Sequence, residues 1–426
     1  MKMKTKLTLA LLLLVTVGAA AQTTRREMSR DIDRMGSNYF AYPGPSQKVL
    51  TPAPAGYKPF YISHYGRHGS RYMTDNKYYI RSIAMLDSAA KAGLLTPKGA
   101  EVLGILREGY AFAYKRDGDL SRLGGRQHRE IAHRMYDRFP ELLSQPLQVD
   151  ARSSTVGRCM ISMFNFCWEL QGLNPELDVR MDASNHDMRF VVGNDDVKPR
   201  ETARGEAYKQ AVSDLRNKSR DLDRVMKLLF TDVKKAREFV DGIELVRCLS
   251  NVANDFQNLP EQGLSLVGIF TREELFDMWA ASNAGWLLQT GVIPGSTPMY
   301  LRQKEVRDSI ESFADRAIRL GEPALTLRFS HDSAVLPLAY LMGLKEAMGA
   351  KPDIRNLYKY ISVDKLIPMA ANIQLVFYRK EGSDDILVKF LLNENETSIP
   401  PVATDCAPYY HWADVKRYWA GHPAVI

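Results

Sequence analysis

Pro59-Phe60-Tyr61-Ile62-Ser63-His64-Tyr65-Gly66-Arg67-His68-Gly69-Ser70-Arg71 is the stretch that carries most of the information. Residues 59–65 are rich in aromatic and β-branched side chains and are cut off by glycine, which predicts a strand ending in a turn. In an open α/β sheet the carboxyl end of a strand is where ligands bind. The turn holds a histidine between two arginines. Arg67 and Arg71 supply forked donors suited to phosphate oxygens, and a neutral His68 can act as a nucleophile. Gly66 and Gly69 would let the backbone turn tightly and approach a ligand.

The same arrangement of strand followed by polar turn recurs twice. Residues 324–329 form an apolar run that ends in Ser330-His331-Asp332. In a parallel sheet both strand ends open onto one edge, which would bring His331 and Asp332 close to His68. Residues 147–151 read as a short strand running into Arg152-Ser153-Ser154-Thr155-Val156-Gly157-Arg158. The Ser-Ser-Thr cluster is suited to capping a helix over 154–170, with Arg158 in its first turns near the anion-attracting N-terminus.

Around these segments helices are expected at 77–92, from Thr96-Pro97 onward, and after Gly124-Gly125, where Ile131, Met135, Phe139 and Leu143 share a face. Long polar helices at 204–230, 233–256 and 271–288 follow without intervening strands, the last opening on a Thr271/Glu274 capping box. A helix at 306–317, a buried helix at 334–344 and strands at 372–378 and 386–392 complete the pattern. Strand–helix alternation at both ends of the chain implies an α/β fold. The expectation is a three-layer α/β/α core with a mainly parallel central sheet, built from 22–183 and 305–426, and a smaller all-α cap inserted at 184–304.

The N-terminus has Lys2, Lys4 and Lys6, an apolar run over 7–17, and Ala19-Ala20-Ala21. This is the pattern of a signal peptide, 1–21, cleaved near Ala21, and predicts export to the periplasm or the medium. No later apolar run is long enough to span a bilayer. Removing three lysines lowers the formal net charge from +7 to +4. That mild surplus fits a small acidic molecule better than nucleic acid, which calls for a basic stripe, and stable membrane insertion is not expected. Cys159, Cys167, Cys248 and Cys406 do not show the spacing of a disulfide-stapled miniprotein. Cys159 and Cys167 fall on one predicted helix about 12 Å apart, too far to bridge each other. Each either pairs elsewhere or is a buried thiol.

Taken in order, the three polar turns resemble those of the histidine acid phosphatases, branch 2 of the histidine phosphatase superfamily. Arg67 to Arg71 match Arg-His-Gly-x-Arg. Ser154, Thr155 and Arg158 match Ser-Thr-x-x-x-Arg with a one-residue difference in spacing, and His331-Asp332 match His-Asp. Residues 372–378 and Cys406-Ala407-Pro408-Tyr409-Tyr410 also look familial, so the resemblance covers most of the chain beyond 1–21. It implies His68 as nucleophile, Asp332 as proton donor, and Arg67, Arg71, Arg158 and His331 around the phosphate. It also implies a backbone carbonyl of the motif turn fixing the His68 tautomer, and no metal or cofactor.

The overall look is closest to the multiple inositol polyphosphate phosphatases, which makes inositol polyphosphates the leading substrates. Two positions depart from the pattern: Met73 where the family often has proline, and His331-Asp332-Ser333 where that subgroup carries His-Ala-Glu. The latter fits a broad acid phosphatase for sugar phosphates or nucleotides equally well. Cap residues such as Lys198 and Arg200 are candidates for the substrate cleft, and His186-Asp187 for its rim. His64 and His68 would lie about 13 Å apart on an extended chain, too far to share a zinc ion. His128, His133 and His411 read as packing or surface residues.

Overall fold

The computed structural model describes residues 24–422, so the expected signal peptide lies outside the described residues. Strand β1, Tyr57–Arg67, is followed by helices α1, Lys77–Lys91, and α2, Pro97–Ala113, the latter capped by Thr96 with Pro97 in its first turn. Helix α3, Arg122–Arg138, is capped by Ser121. Strand β2, Leu147–Ser153, leads to helix α4, Gly157–Leu173, and to strand β3, Leu177–Asp182.

The helical stretch that follows has four main members: α5, Ala203–Arg220; α6, Asp223–Leu229; α7, Gly242–Asp255; and α8, Arg272–Gln289, with the expected capping box. Helix α9, Lys304–Leu320, then precedes strand β4, Ala324–Ser330, and helix α10, Asp332–Leu341. Strands β5, Asn372–Lys380, β6, Ile386–Leu392, β7, Asn395–Thr397, and β8, Tyr409–His411, end in helix α11, Trp412–Gly421.

The strands form one mixed sheet in the order β3-β2-β4-β1-β5-β6-β7, with β8 also paired to β6. The four strands β3, β2, β4 and β1 run parallel, and β5 and β6 continue the sheet antiparallel. The register sets the site: Arg67 lies opposite Ser330, and Phe329 opposite Ser153, so all three polar turns leave the sheet at one edge.

Successive side chains of a strand point to opposite faces, and β1 obeys this. Tyr61 and Tyr65 enter a core with Ile310, Val335 and Trp412, whereas Ile62 enters another with Leu142, Phe166 and Leu327. Helices thus cover both faces of the sheet, giving the expected three layers. A third core joins Tyr79, Leu86, Val102 and Leu106 of α1 and α2 to Leu229, Leu249 and Trp279 of the later helices. The helical body therefore draws on residues before β2 as well as on the stretch expected to form the cap.

Some boundaries differ from expectation. The helices expected at 204–230 and 233–256 are each broken, because residues 221–222 and 237–241 turn the chain between short segments. Helix α3 begins at Arg122, so Gly124 and Gly125 lie inside it rather than before it. The reason is contact: a Cβ on Gly124 would sit 2.1 Å from the Ser70 carbonyl oxygen, and one on Gly69 would sit 2.5 Å from that of Gly124. The Gly69 position was expected to admit a ligand and instead admits a neighbouring helix. Gly66 likewise leaves room for the ring of His64, 2.7 Å from where its Cβ would be. All four cysteines are free thiols, three of them buried. Among the described residues no helix is long and apolar enough to cross a membrane.

Candidate active site

The turn after β1 is held by its own backbone. Arg67 N donates to the Ala371 carbonyl at 2.7 Å, His68 N to that of Ser330 at 3.0 Å, and Ala370 N to that of His68 at 2.9 Å. Side chains complete the clamp: Ser70 N donates to Gln127 Oε1 at 2.8 Å and Gly69 N to Ser162 Oγ at 3.2 Å. His68 is thereby fixed between the end of the parallel strand β4 and the residues that lead into the antiparallel strand β5.

Its ring Nδ1 lies 2.9 Å from the Gly69 carbonyl oxygen, within the motif turn as expected. A carbonyl only accepts, so Nδ1 carries the proton and Nε2 keeps its lone pair. Burial, followed by the charges of Arg67, Arg158 and Arg71, pushes the imidazole well below its ordinary range. The shift favours the neutral form, which is the nucleophilic one.

Asp332 opens α10 immediately beyond β4. Its Oδ2 forms an ion pair with Arg67 Nη2 at 2.8 Å and accepts from Asn38 Nδ2 at 2.9 Å, and its Oδ1 accepts from Ser333 N at 2.8 Å. Burial raises this carboxyl, but Arg67, Asn38 and Arg71 outweigh it, so the net shift is below the ordinary carboxylate range. His331 lies edge-on to His68 with ring centroids 5.7 Å apart. Burial and then Arg158 lower it to about 4. Its Nε2 is 3.2 Å from Ser154 Oγ and its Nδ1 is 3.5 Å from Arg158 Nη2.

One expectation at this site is corrected. Ser154 and Thr155 do not cap α4, whose N-cap is Val156 with no side-chain cap bond; the Ser154 hydroxyl is turned to His331 instead. Arg67 is fully buried beside Asp332. Its Nη1 is committed to the carbonyls of Asn38 and Ile367, both at 2.7 Å, and its Nη2 to Asp332. Arg71 and Arg158 do line the cleft, together with His68 and Asp332.

That cleft has a volume of about 570 Å³. Its far wall carries Arg216 and Arg220, one turn apart on α5, and Arg247 on α7. Arg247 is paired with Glu244. Among the described residues Arg216 and Arg220 form no ion pair, and burial lowers both, Arg220 to about 10. Two like charges at this spacing repel, so an anion between the walls would relieve them. Arg200 faces a different cavity, with Tyr300 and Trp419, and Lys198 and His186 do not line the cleft. Asp187 is engaged by Arg152 at 2.8 Å. His64 and His128 are buried without hydrogen-bond partners against Phe329. His133 pairs with Glu169, and His411 with Asp385 and Asp405.

No family model matches the chain. Multiple inositol polyphosphate phosphatase 1 of Gallus gallus is 24% identical over 393 residues, covering 86% of this chain and 82% of that protein. The multiple inositol polyphosphate phosphatase of Bifidobacterium longum, solved with phosphate, superposes with a TM-score of 0.74 at 20% identity, covering 91% of this chain and 97% of that one. The phytase of D. castellii gives a TM-score of 0.64 at 14% identity, over 91% of this chain and 84% of that one. The chain shares the fold of these phosphatases.

The resemblance seen in three short motifs thus extends to the whole architecture. Within this phosphatase fold, Asn38, Arg216, Arg220 and Arg247 escaped the sequence reading. Asn38 lies in a 3₁₀ segment, Ile32–Tyr39, with no periodicity to mark it. The three arginines look like ordinary solvated charges on polar helices. Spacing gave one signal for Arg216 and Arg220, which repeat at i, i+4 without an interposed acid.

Proposed function

We propose that this chain is an exported phosphoric monoester hydrolase acting through a phosphohistidine on His68, with inositol polyphosphates such as phytate as substrates. One observation carries the reading: His68, its Nδ1 tied to the Gly69 carbonyl, shares one cleft with Asp332, Arg71 and Arg158. His68 Nε2 attacks phosphorus as the ester P–O bond breaks, and Asp332 passes a proton to the departing alkoxide. Water then attacks the phosphohistidine, giving its proton to Asp332 and leaving inorganic phosphate. Arg71, Arg158 and His331 carry the charge on the equatorial oxygens, and Arg67 holds the Asp332 carboxyl in place.

The inositol polyphosphate assignment is supported by the relatives' names and by the unpaired arginines of the far wall, which suit a substrate bearing several phosphates. A broad acid phosphatase fits His331-Asp332-Ser333 equally well, since that motif lacks the inserted residue of the inositol polyphosphate subgroup. Phosphate release from phytate and from p-nitrophenyl phosphate, with His68→Ala as control, tests both. Turnover of both by wild type and neither by His68→Ala is expected, with the higher kcat/KM on phytate. Release by His68→Ala at the wild-type rate would refute the nucleophile.

A further inference from the structure

Asp255, the last residue of α7, is fully buried, and neither carboxylate oxygen has a hydrogen-bond partner. A carboxylate so placed is costly unless it is neutralised. Among the described residues its one ion-pair partner is Arg71, whose Nη1 lies 3.9 Å from Oδ1. The other charged or titratable groups facing it are phenols: Tyr39 from the 3₁₀ segment, which stacks under Arg71 at 5.1 Å, and Tyr79 from α1. Burial raises both phenols, Tyr39 to about 12, so they remain neutral across the working range. Among the described residues the Met73 backbone also lies close enough to lower the carboxyl, without completing a hydrogen bond.

Arg71 therefore has two anionic claimants on opposite sides. One is the phosphate in the cleft, under the reading above; the other is a carboxylate rooted in the helical body. We infer that Asp255 is a positioning residue that competes with the substrate phosphate for Arg71, releasing the guanidinium when the carboxyl is protonated and drawing it back when ionised. Burial, opposed by Arg71 and by the Met73 backbone, places the titration of this carboxyl at about 7. Phosphate affinity should then fall above neutrality for a reason separate from Asp332, and a neutral side chain at 255 should abolish that fall.

The test is calorimetric binding of inorganic phosphate to wild type and Asp255→Asn between pH 5 and pH 8.5. Phosphate's own ionisation and the charge on Asp332 are common to both proteins and cancel in the ratio of their Kd values. That ratio, wild type over variant, is expected near one at pH 5 and about tenfold by pH 8.5, the effect of roughly one pKa unit of coupling. A ratio that does not change with pH, including uniformly weaker binding by the variant, overturns the competition. Asp255→Ser, also neutral, takes the variant's place with the same two outcomes if the asparagine form does not fold. Failure of phosphate to bind wild type at any pH would instead overturn the reading of the cleft itself.

Discussion

His68 and Asp332 face opposite demands, and the residues around them account for both. In the proposed mechanism the nucleophile must resist protonation in acid, and burial, then Arg67, Arg158 and Arg71, shift His68 in that direction. A proton donor must be protonated, yet Arg67, Asn38 and Arg71 hold Asp332 below the usual range. The dianionic substrate supplies the correction, since a second negative charge a few ångströms away raises a carboxyl. Activity should therefore be highest in acid and fall as pH rises and the Asp332 proton is lost. Asp332→Asn removes the proton and should lower kcat about 10²–10⁴-fold. The loss should be greater on an alkyl phosphate such as phytate than on p-nitrophenyl phosphate, whose leaving group needs no acid. Equal losses on both would speak against Asp332 as the donor.

At the scale of elements, the register between β1 and β4 does most to build the site, and glycine does most to seat the turn. Alanine in a helix interior is normally better than glycine by about 1 kcal/mol. At Gly124 that preference is overridden, because the added methyl would lie 2.1 Å from the Ser70 oxygen. Overpacking of this kind costs about 3 kcal/mol. Gly124→Ala should lower the thermal midpoint and, by shifting Ser70 and its neighbour His68, lower kcat as well. A more stable variant with full activity would show that α3 and the motif turn are not held in this contact.

The elements also show what could be read beforehand. Strand β1 was legible because a run rich in β-forming residues is cut off by a glycine, and β4 because a largely apolar run precedes a polar turn. Strand β3 was not, since most of its residues are exposed and half are charged, and the two three-residue strands are too short to carry a period. His68 and Asp332, the residues proposed to carry the chemistry, announced themselves by sitting at strand ends. Asn38 and Asp255 could not, because their importance lies in which distant residue they touch. Arg67 illustrates the converse: its motif position was plain, but its burial behind Asp332 depends on carbonyls of Asn38 and Ile367.

At the scale of the whole molecule, a sheet edge and a helical body close on one cleft, so the far wall should tune substrate choice without taking part in the chemistry. Arg216→Ala combined with Arg220→Ala should raise KM for phytate about tenfold and leave p-nitrophenyl phosphate nearly unaffected, the loss of roughly one charge-assisted contact. Equal effects on both substrates would place these arginines elsewhere in the reaction.

The fold also carries an acid liability. His64 and His128 are buried without partners, and burial depresses both to about 3, with His128 further lowering His64. An unfolded histidine titrates near 6.5, so the unfolded chain takes up protons that the folded one refuses. The stability these residues contribute is complete above pH 6.5 and is lost as pH falls toward 3. Thermal midpoints should decline across that window, and His128→Leu should make the decline shallower. A difference between variant and wild type that is constant with pH would exclude this origin.

The central claim is covalent, and it can be examined directly. Wild type and Asp332→Asn are mixed with p-nitrophenyl phosphate, quenched in alkali, where phosphohistidine survives, and mapped by peptide mass spectrometry. The account predicts a phosphoryl group on the peptide containing His68, more abundant in Asp332→Asn because hydrolysis of the intermediate is slowed, and none in His68→Ala. A phosphoryl group on any other residue, or turnover with none trapped in either protein, would contradict it.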